Sequence, residues 1–270
     1  MLKGIAGHSG EEVSIKIQPS SLPGIHFVLP QGRVTANLDH VISTNMCTTI
    51  KQNEAYISTV EHFLSAVFAL GVKNIDIIVL DGNEMPLMDG SALHFYEVLE
   101  EEGLYPIEPS EEDKDFIYDG PLIMVENERG FIEFTPHQDL VFDITVDKPF
   151  PEQNYIFNFT TDNYKKEIAP ARTFGFYSDG EHLKKSGMAL GSNFTNTVVL
   201  SDNGLVMNEE GMRFPEELAR HKILDAIGDL RLLNIPIKGY FRAVNPGHTL
   251  NVELARCIRA EIPTNFLTKS

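Results

Sequence analysis

The chain has 270 residues, 42% of them hydrophobic, with 39 acidic against 22 basic side chains and a formal net charge of −17. That length suits two domains better than one, and the apolar fraction is ample for packed cores. A surface this acidic repels phosphate backbones, so nucleic acid is excluded as a partner, and an anionic substrate needs local cations to receive it. Two cysteines, Cys47 and Cys257, make neither a disulfide framework nor a CxxC pair, so reduced thiols in a cytoplasmic setting are expected. The N-terminal residues carry no apolar core of signal-peptide length, and no run approaches the roughly 18 apolar residues of a membrane span.

In chain order, strands are predicted over 13–17 and 25–29, separated by a Ser-Ser-Leu-Pro-Gly turn. An apolar-periodic helix follows from Ser58 to Leu70, with Gly71 beyond it; Ser58 as N-cap and Glu61 three residues on fit a capping box. Residues 74–80 read as a buried strand closed by Asp81-Gly82, and 91–102 as an amphipathic helix. Between 103 and 119, Pro106, Pro109 and the acidic cluster Glu108, Glu111, Glu112, Asp113 and Asp115 mark a connector, so domains are expected at 1–108 and 109–270. The second half repeats the order. Strands are predicted near 123–125, 131–135, 141–146 and 155–159, and a helix over 161–168. A hairpin is predicted from 198–200 and 205–208 around Ser-Asp-Asn-Gly. A long helix from Pro215 to about Leu233, a strand over 239–244 and a terminal helix opened by Gly247-His248 complete the chain. Strands then helices, twice over, argue α+β domains rather than alternating βαβ units.

Within the helix after Pro215, His221 and Asp225 are four residues apart and share a face, and Asp229 continues the stripe. An imidazole and a carboxylate so placed are two of the three protein ligands of a catalytic zinc, and His62 can supply the third, with Glu61 beside it as a base. Each piece alone has a plainer reading. His-x3-Asp on a helix is usually ordinary i,i+4 pairing, Glu61 can merely complete a cap, and His248 at a helix start is often a surface residue. His8, His26, His40, His94, His137 and His182 lack a comparable constellation and read as structural or solvated.

Five segments stand in one order: Ser-Thr-Val-Glu-His (58–62), Glu-Met-Pro-Leu-Met-Asp-Gly-Ser-Ala (84–92), Ala-Arg-Thr-Phe-Gly-Phe (171–176), Arg-His-Lys-Ile-Leu-Asp-Ala-Ile-Gly-Asp-Leu (220–230) and Gly-His-Thr-Leu-Asn (247–251). Together they resemble the UDP-3-O-acyl-N-acetylglucosamine deacetylases of lipid A biosynthesis, across nearly the whole chain. The resemblance implies an α+β fold of two similar domains, each a mainly antiparallel sheet layered against two helices, with the active site between them. It assigns a metal to His62, His221 and Asp225. The metal is expected to be zinc (Zn2+), and Fe2+ suits the same ligands. Glu61 matches the general base, His248 the catalytic histidine, Asp229 its supporting carboxylate and Thr173 an oxyanion stabiliser. Lys222 and Phe174 match substrate contacts, and an insertion at about 177–199 matches a passage for the acyl chain. Ser192 and Asn193 depart from the family's usual glycine and serine there. The expected reaction is hydrolysis of the N-acetyl group of an acylated UDP-amino sugar, releasing acetate. A cytoplasmic monomer is expected, able to touch a membrane surface transiently. A peptidase-type zinc site would carry His-Glu-x-x-His on one helix, which this chain lacks. A non-catalytic nucleotide-sugar binder would be betrayed by a lost base or ligand, and none is lost.

Overall fold

In the computed structural model, which describes residues 1–104, 116–147 and 151–263, the alternating apolar runs form two sheets of the same topology. The first half runs β1 (Leu2–Ile5), β2 (Glu12–Pro19), β3 (Gly24–Leu29), β4 (Gly32–Thr35), three short strands β5 (Val41–Ser43), β6 (Thr49–Gln52) and β7 (Ala55–Ile57), then α1 (Glu61–Ala69), β8 (Asn74–Val79) and α2 (Leu93–Glu101). The sheet order is β1-β2-β8-β3-β4, with β8 antiparallel to β2 and parallel to β3. Parallel neighbours need a crossover, and the chain makes it through α1. Alternate residues Ile75, Ile77 and Val79 are buried together with Ile25 and Phe27. The helices close over this face through edge-on contacts of Phe27 with Phe63 and of Phe63 with Phe95.

The second half runs β9 (Phe116–Ile117), β10 (Ile123–Glu126), β11 (Phe131–Thr135), β12 (Leu140–Val146), β13 (Gln153–Asn158), α3 (Thr161–Asn163, continued by a wider π turn over Tyr164–Ile168), β14 (Phe174–Phe176), α4 (Tyr177–Lys185), β15 (Val198–Leu200), α5 (Glu217–Leu230), β16 (Ile237–Val244) and α6 (His248–Glu261). Its sheet order is β10-β11-β16-β12-β13, with β9 beside the start of β16. The central strand β16 is antiparallel to β11 and parallel to β12, as β8 is to β2 and β3. The mixed, mostly antiparallel α+β architecture is therefore present twice. Helices α5 and α6 cover the second sheet, α1 packs along α5, and α5 packs along α6. Among the described residues, no helix is long and apolar enough to cross a membrane.

Three local expectations are corrected. The capping box does not form: α1 begins at Glu61 with Val60 as its N-cap, and no side chain caps it. Thr59 sits at φ +58, Ser58 accepts the Thr49 hydroxyl, and the Glu61 carboxylate turns to Thr48, 13 residues back. The hairpin over 198–208 shrinks to a turn with a single bridge, Leu200 to Val206, because β15 pairs in parallel with β14 instead. The long helix breaks at Arg231 into a 3-10 turn, Arg231–Leu233, which ends at Asn234 in the left-handed region. The predicted connector, with its prolines and acidic cluster, falls mainly on residues 105–115, outside the described residues.

Candidate active site

Helix α5 is buried along most of its length, and Asp225 and Asp229 are only 1% and 0% exposed. This excludes the solvated-edge reading of its acidic residues. Both carboxylates and His221 face α1, which carries Glu61 and His62 in its first turn, both buried. The helices approach closely because Gly228 stands at the crossing: a Cβ there would lie 2.0 Å from the Glu61 carbonyl oxygen.

The donor atoms of His62, His221 and Asp225 all lie within 4.8 Å of one another. Asp225 Oδ1 is 3.3 Å from His221 Nε2 and 3.7 Å from His62 Nε2. Ligand atoms about 2.1 Å from a tetrahedral zinc stand about 3.4 Å apart, so the spacing fits. The protonation pattern fits as well. His221 Nδ1–H donates to the Ala171 carbonyl at 3.1 Å, which leaves a lone pair on Nε2. Burial, followed by the neighbouring His221, pushes His62 down to about 3. Burial lowers His221 too. Asp225 is held well below the ordinary carboxylate range: burial opposes its charge, but His221, Lys222 and the other two histidines outweigh it. Two imidazole nitrogens and a buried anionic oxygen that accepts no hydrogen bond converge on one point. Such a point calls for a cation.

Beside this cluster, His248 lies between two carboxylates. Its Nδ1 is 2.9 Å from Asp229 Oδ2 and its Nε2 is 3.8 Å from Glu61 Oε1. Burial opposes the imidazolium, yet the charges of Asp229 and Glu61 push His248 up to about 10. Burial pushes Glu61 up to about 8, with His248 opposing and Cys47, Asp229 and Asp225 reinforcing. Three contacts here have no counterpart in the sequence reading. The Thr48 amide donates to Glu61 Oε2 at 3.0 Å, and its hydroxyl to Asp229 Oδ1 at 2.6 Å. Asn251 Nδ2 donates to Asp229 Oδ2 at 2.9 Å. Thr48 looks like any strand-entry threonine in the sequence. Asn251, three residues after His248 on one helix face, carries the signal that could have found it.

A cavity of about 860 Å³ opens onto these groups, a volume proper to a small-molecule site. Thr173, Phe174 and Lys222 line it, as do Tyr177, Leu183 and Phe194 of the predicted insertion. Lys222 Nζ pairs with Asp225 Oδ2 at 2.9 Å and lies 5.3 Å from the Phe174 ring centre. The Thr173 amide donates to the Gly90 carbonyl, so the 84–92 segment is scaffold: Gly90 at φ +87 passes so close to Asn196 that a Cβ would meet its carbonyl oxygen at 1.9 Å. Glu84 of the same segment accepts the amides of His8 and Ser9. Of the remaining histidines, His26 is buried between Thr35 and the Pro23 carbonyl, and His40 meets the Thr35 carbonyl. His8 lines the cavity.

The family model described as UDP-3-O-acyl N-acetylglycosamine deacetylase (LpxC) matches residues 1–260. Among relatives named UDP-3-O-acyl-N-acetylglucosamine deacetylase, one from Campylobacter hominis is 41% identical, the match covering 94% of this chain and 87% of the relative. Others, from Helicobacter hepaticus and Sulfurimonas denitrificans, are 40% and 39% identical over 96% and 94% of this chain, and 87% and 86% of their own. With a family model over nearly its whole length and relatives at this identity, the chain belongs to the UDP-3-O-acyl N-acetylglycosamine deacetylase family.

Proposed function

We propose that the chain hydrolyses the N-acetyl group of UDP-3-O-((R)-3-hydroxyacyl)-N-acetylglucosamine, giving the free amine and acetate, the committed step of lipid A biosynthesis. The observation that carries this reading is the buried His62–His221–Asp225 cluster, whose unpartnered carboxylate oxygen lies beside the Glu61–His248 pair. Zinc is the metal proposed for these three ligands. Bound there, it would supply a Lewis acid that polarises the amide oxygen, acidifies water and favours the ionised form of Glu61. Glu61 Oε1 takes a proton from the attacking water as oxygen adds to the acetamide carbon. The Thr173 hydroxyl donates to the oxygen on which negative charge develops. As the C–N bond breaks, the amine nitrogen takes a proton, either from His248, which Asp229 keeps cationic, or from Glu61 returning the one it took. Lys222 brings positive charge to a diphosphate-bearing substrate that the acidic surface otherwise repels.

The insertion around α4 is proposed to enclose the acyl chain, through Tyr177, Leu183 and Phe194 along the cavity wall. The seam between a domain ending near residue 108 and one beginning near 109 is the proposed place of the site, because α1 contributes Glu61 and His62 and the second half contributes His221, Asp225, Asp229 and His248. Acetate release from the 3-hydroxymyristoyl substrate tests the reading. Activity should vanish on chelation, return with zinc, and be lost in Glu61→Gln while zinc stays bound. A Glu61→Gln enzyme that turns over like the parent refutes the mechanism.

A further inference from the structure

We infer that Thr48 is a positioning residue that fixes which oxygen of Glu61 faces the reacting atoms and which oxygen of Asp229 faces His248, an inference that rests on the deacetylase site proposed above. Thr48 stands between β5 and β6, in the first half of the chain, and is 0% exposed. All three of its polar groups are engaged. The amide donates to Glu61 Oε2 at 3.0 Å, the hydroxyl donates to Asp229 Oδ1 at 2.6 Å, and the carbonyl accepts the Val60 amide at 3.4 Å. The outer oxygen of each carboxylate is thus taken. The inner oxygens remain: Glu61 Oε1 at 3.8 Å from His248 Nε2, and Asp229 Oδ2 at 2.9 Å from His248 Nδ1.

A carboxylate can rotate so that either oxygen points inward. A base must present one lone pair along one line. The Thr48 amide removes that freedom from Glu61, and the Thr48 hydroxyl, with Asn251 Nδ2 on the other oxygen, removes it from Asp229. The two constraints are not independent. The hydroxyl ties the Thr48 backbone to α5, so losing it releases the loop that aims Glu61 as well as the carboxylate that aims His248. None of the three groups touches His62, His221 or Asp225, so metal binding stands outside the effect. Neither Thr48 nor Asp229 lines the cavity, so substrate affinity stands outside it too.

The test is Thr48→Val, which keeps the shape and deletes the hydroxyl, beside Thr48→Ser, which keeps the hydroxyl. Thr48→Val should lower kcat by about tenfold to a hundredfold, the scale of a misaimed catalytic group. KM and zinc content should stay at the parental level, and Thr48→Ser should restore most of kcat. If Thr48→Val does not fold, Thr48→Ala takes its place in the same comparison with Thr48→Ser. Parental kcat in the hydroxyl-less variant overturns the inference. So does a loss of zinc or a rise in KM that matches the loss of kcat, or a Thr48→Ser enzyme as slow as Thr48→Val; each would mark a structural role only. Glu61→Gln in the same assay separates the two levels. An active Glu61→Gln refutes the site itself, whereas an inactive one beside a parental Thr48→Val refutes only the role of Thr48.

Discussion

Replacing Gly228 with alanine tests whether the site is built by the closeness of two helices. Gly228 lies inside α5, where glycine costs about 1 kcal/mol relative to alanine. On propensity alone Gly228→Ala should stabilise the protein. The structure predicts the opposite. The new Cβ would lie 2.0 Å from the Glu61 carbonyl oxygen, 2.8 Å from its carbon and 3.0 Å from its Cα. All three are backbone atoms and no rotamer relieves them. A carbon and a carbonyl oxygen rest at about 3.3 Å, so α1 must move from α5 by about 1 Å. Overpacking of this kind costs roughly 1–3 kcal/mol, which cancels or exceeds the propensity gain. The displaced residue is the proposed base, and its neighbour His62 is separated from His221 and Asp225 by the same motion. A shift of about 1 Å at a catalytic group costs on the order of a hundredfold in rate. Acetate release, zinc content and thermal melting of Gly228→Ala should show that loss, with weaker zinc retention and no rise in Tm. A variant with parental turnover and a higher Tm would refute the reasoning, because it would mean the helices do not need this contact.

Two other outcomes are expected. Arg172 and Glu217 are buried together and joined through the amide, Nε and Nη2 of the arginine, in the segment whose Ala171 carbonyl orients His221. Glu217→Ala leaves that guanidinium with only Glu210 and the Gly211 carbonyl, and should cost about 3 kcal/mol, or roughly 6–12 °C in Tm, by scanning calorimetry. Metal uptake by the stripped protein should stay level as pH falls through the ordinary histidine range near 6.5. Burial depresses both His62 and His221, and His62 goes to about 3, so protons compete for the His62 lone pair only well below that range. A titration whose zinc affinity falls steeply between about pH 7 and 6 would show that these imidazoles are solvated.

The clustering of His62, His221 and Asp225 was legible because two of them are one helical turn apart and the third adjoins an acidic residue; neither feature needs knowledge of long-range packing. The element order was legible for a similar reason: apolar alternation and Pro-Gly punctuation are local. The capping box failed because its logic is local and the winner was not. Glu61 found the Thr48 amide across the fold, and Thr59 took a left-handed conformation that no helix entry signal announces. The Thr48 amide and the Ala171 carbonyl were invisible for the same reason, since a backbone group carries no side-chain signature. The parallel neighbours of β8 and β16 likewise depend on crossovers that strand patterning does not encode.

The repeated topology explains why the proposed site has the composition it has. Helices α1 and α5 follow equivalent hairpins and precede the equivalent central strands β8 and β16, and the fold packs these two counterparts against each other. Each delivers one histidine to their contact, and the two rings meet edge to face with centres 5.0 Å apart. The symmetry stops there. Helix α5 adds Asp225 and Asp229, α1 adds Glu61, and α6 brings His248 to a place for which α2 supplies no counterpart. A pair of imidazoles at a pseudo-symmetric crossing would leave the proposed metal ligation incomplete; the Asp225 carboxylate from α5 is the proposed third donor. The proposed base and acid, Glu61 and His248, lie side by side next to that cluster, 3.8 Å apart; Thr48 holds Glu61 directly and His248 through Asp229. Divergence between equivalent helices, rather than any feature of one half, is what brings the proposed base and acid to this contact.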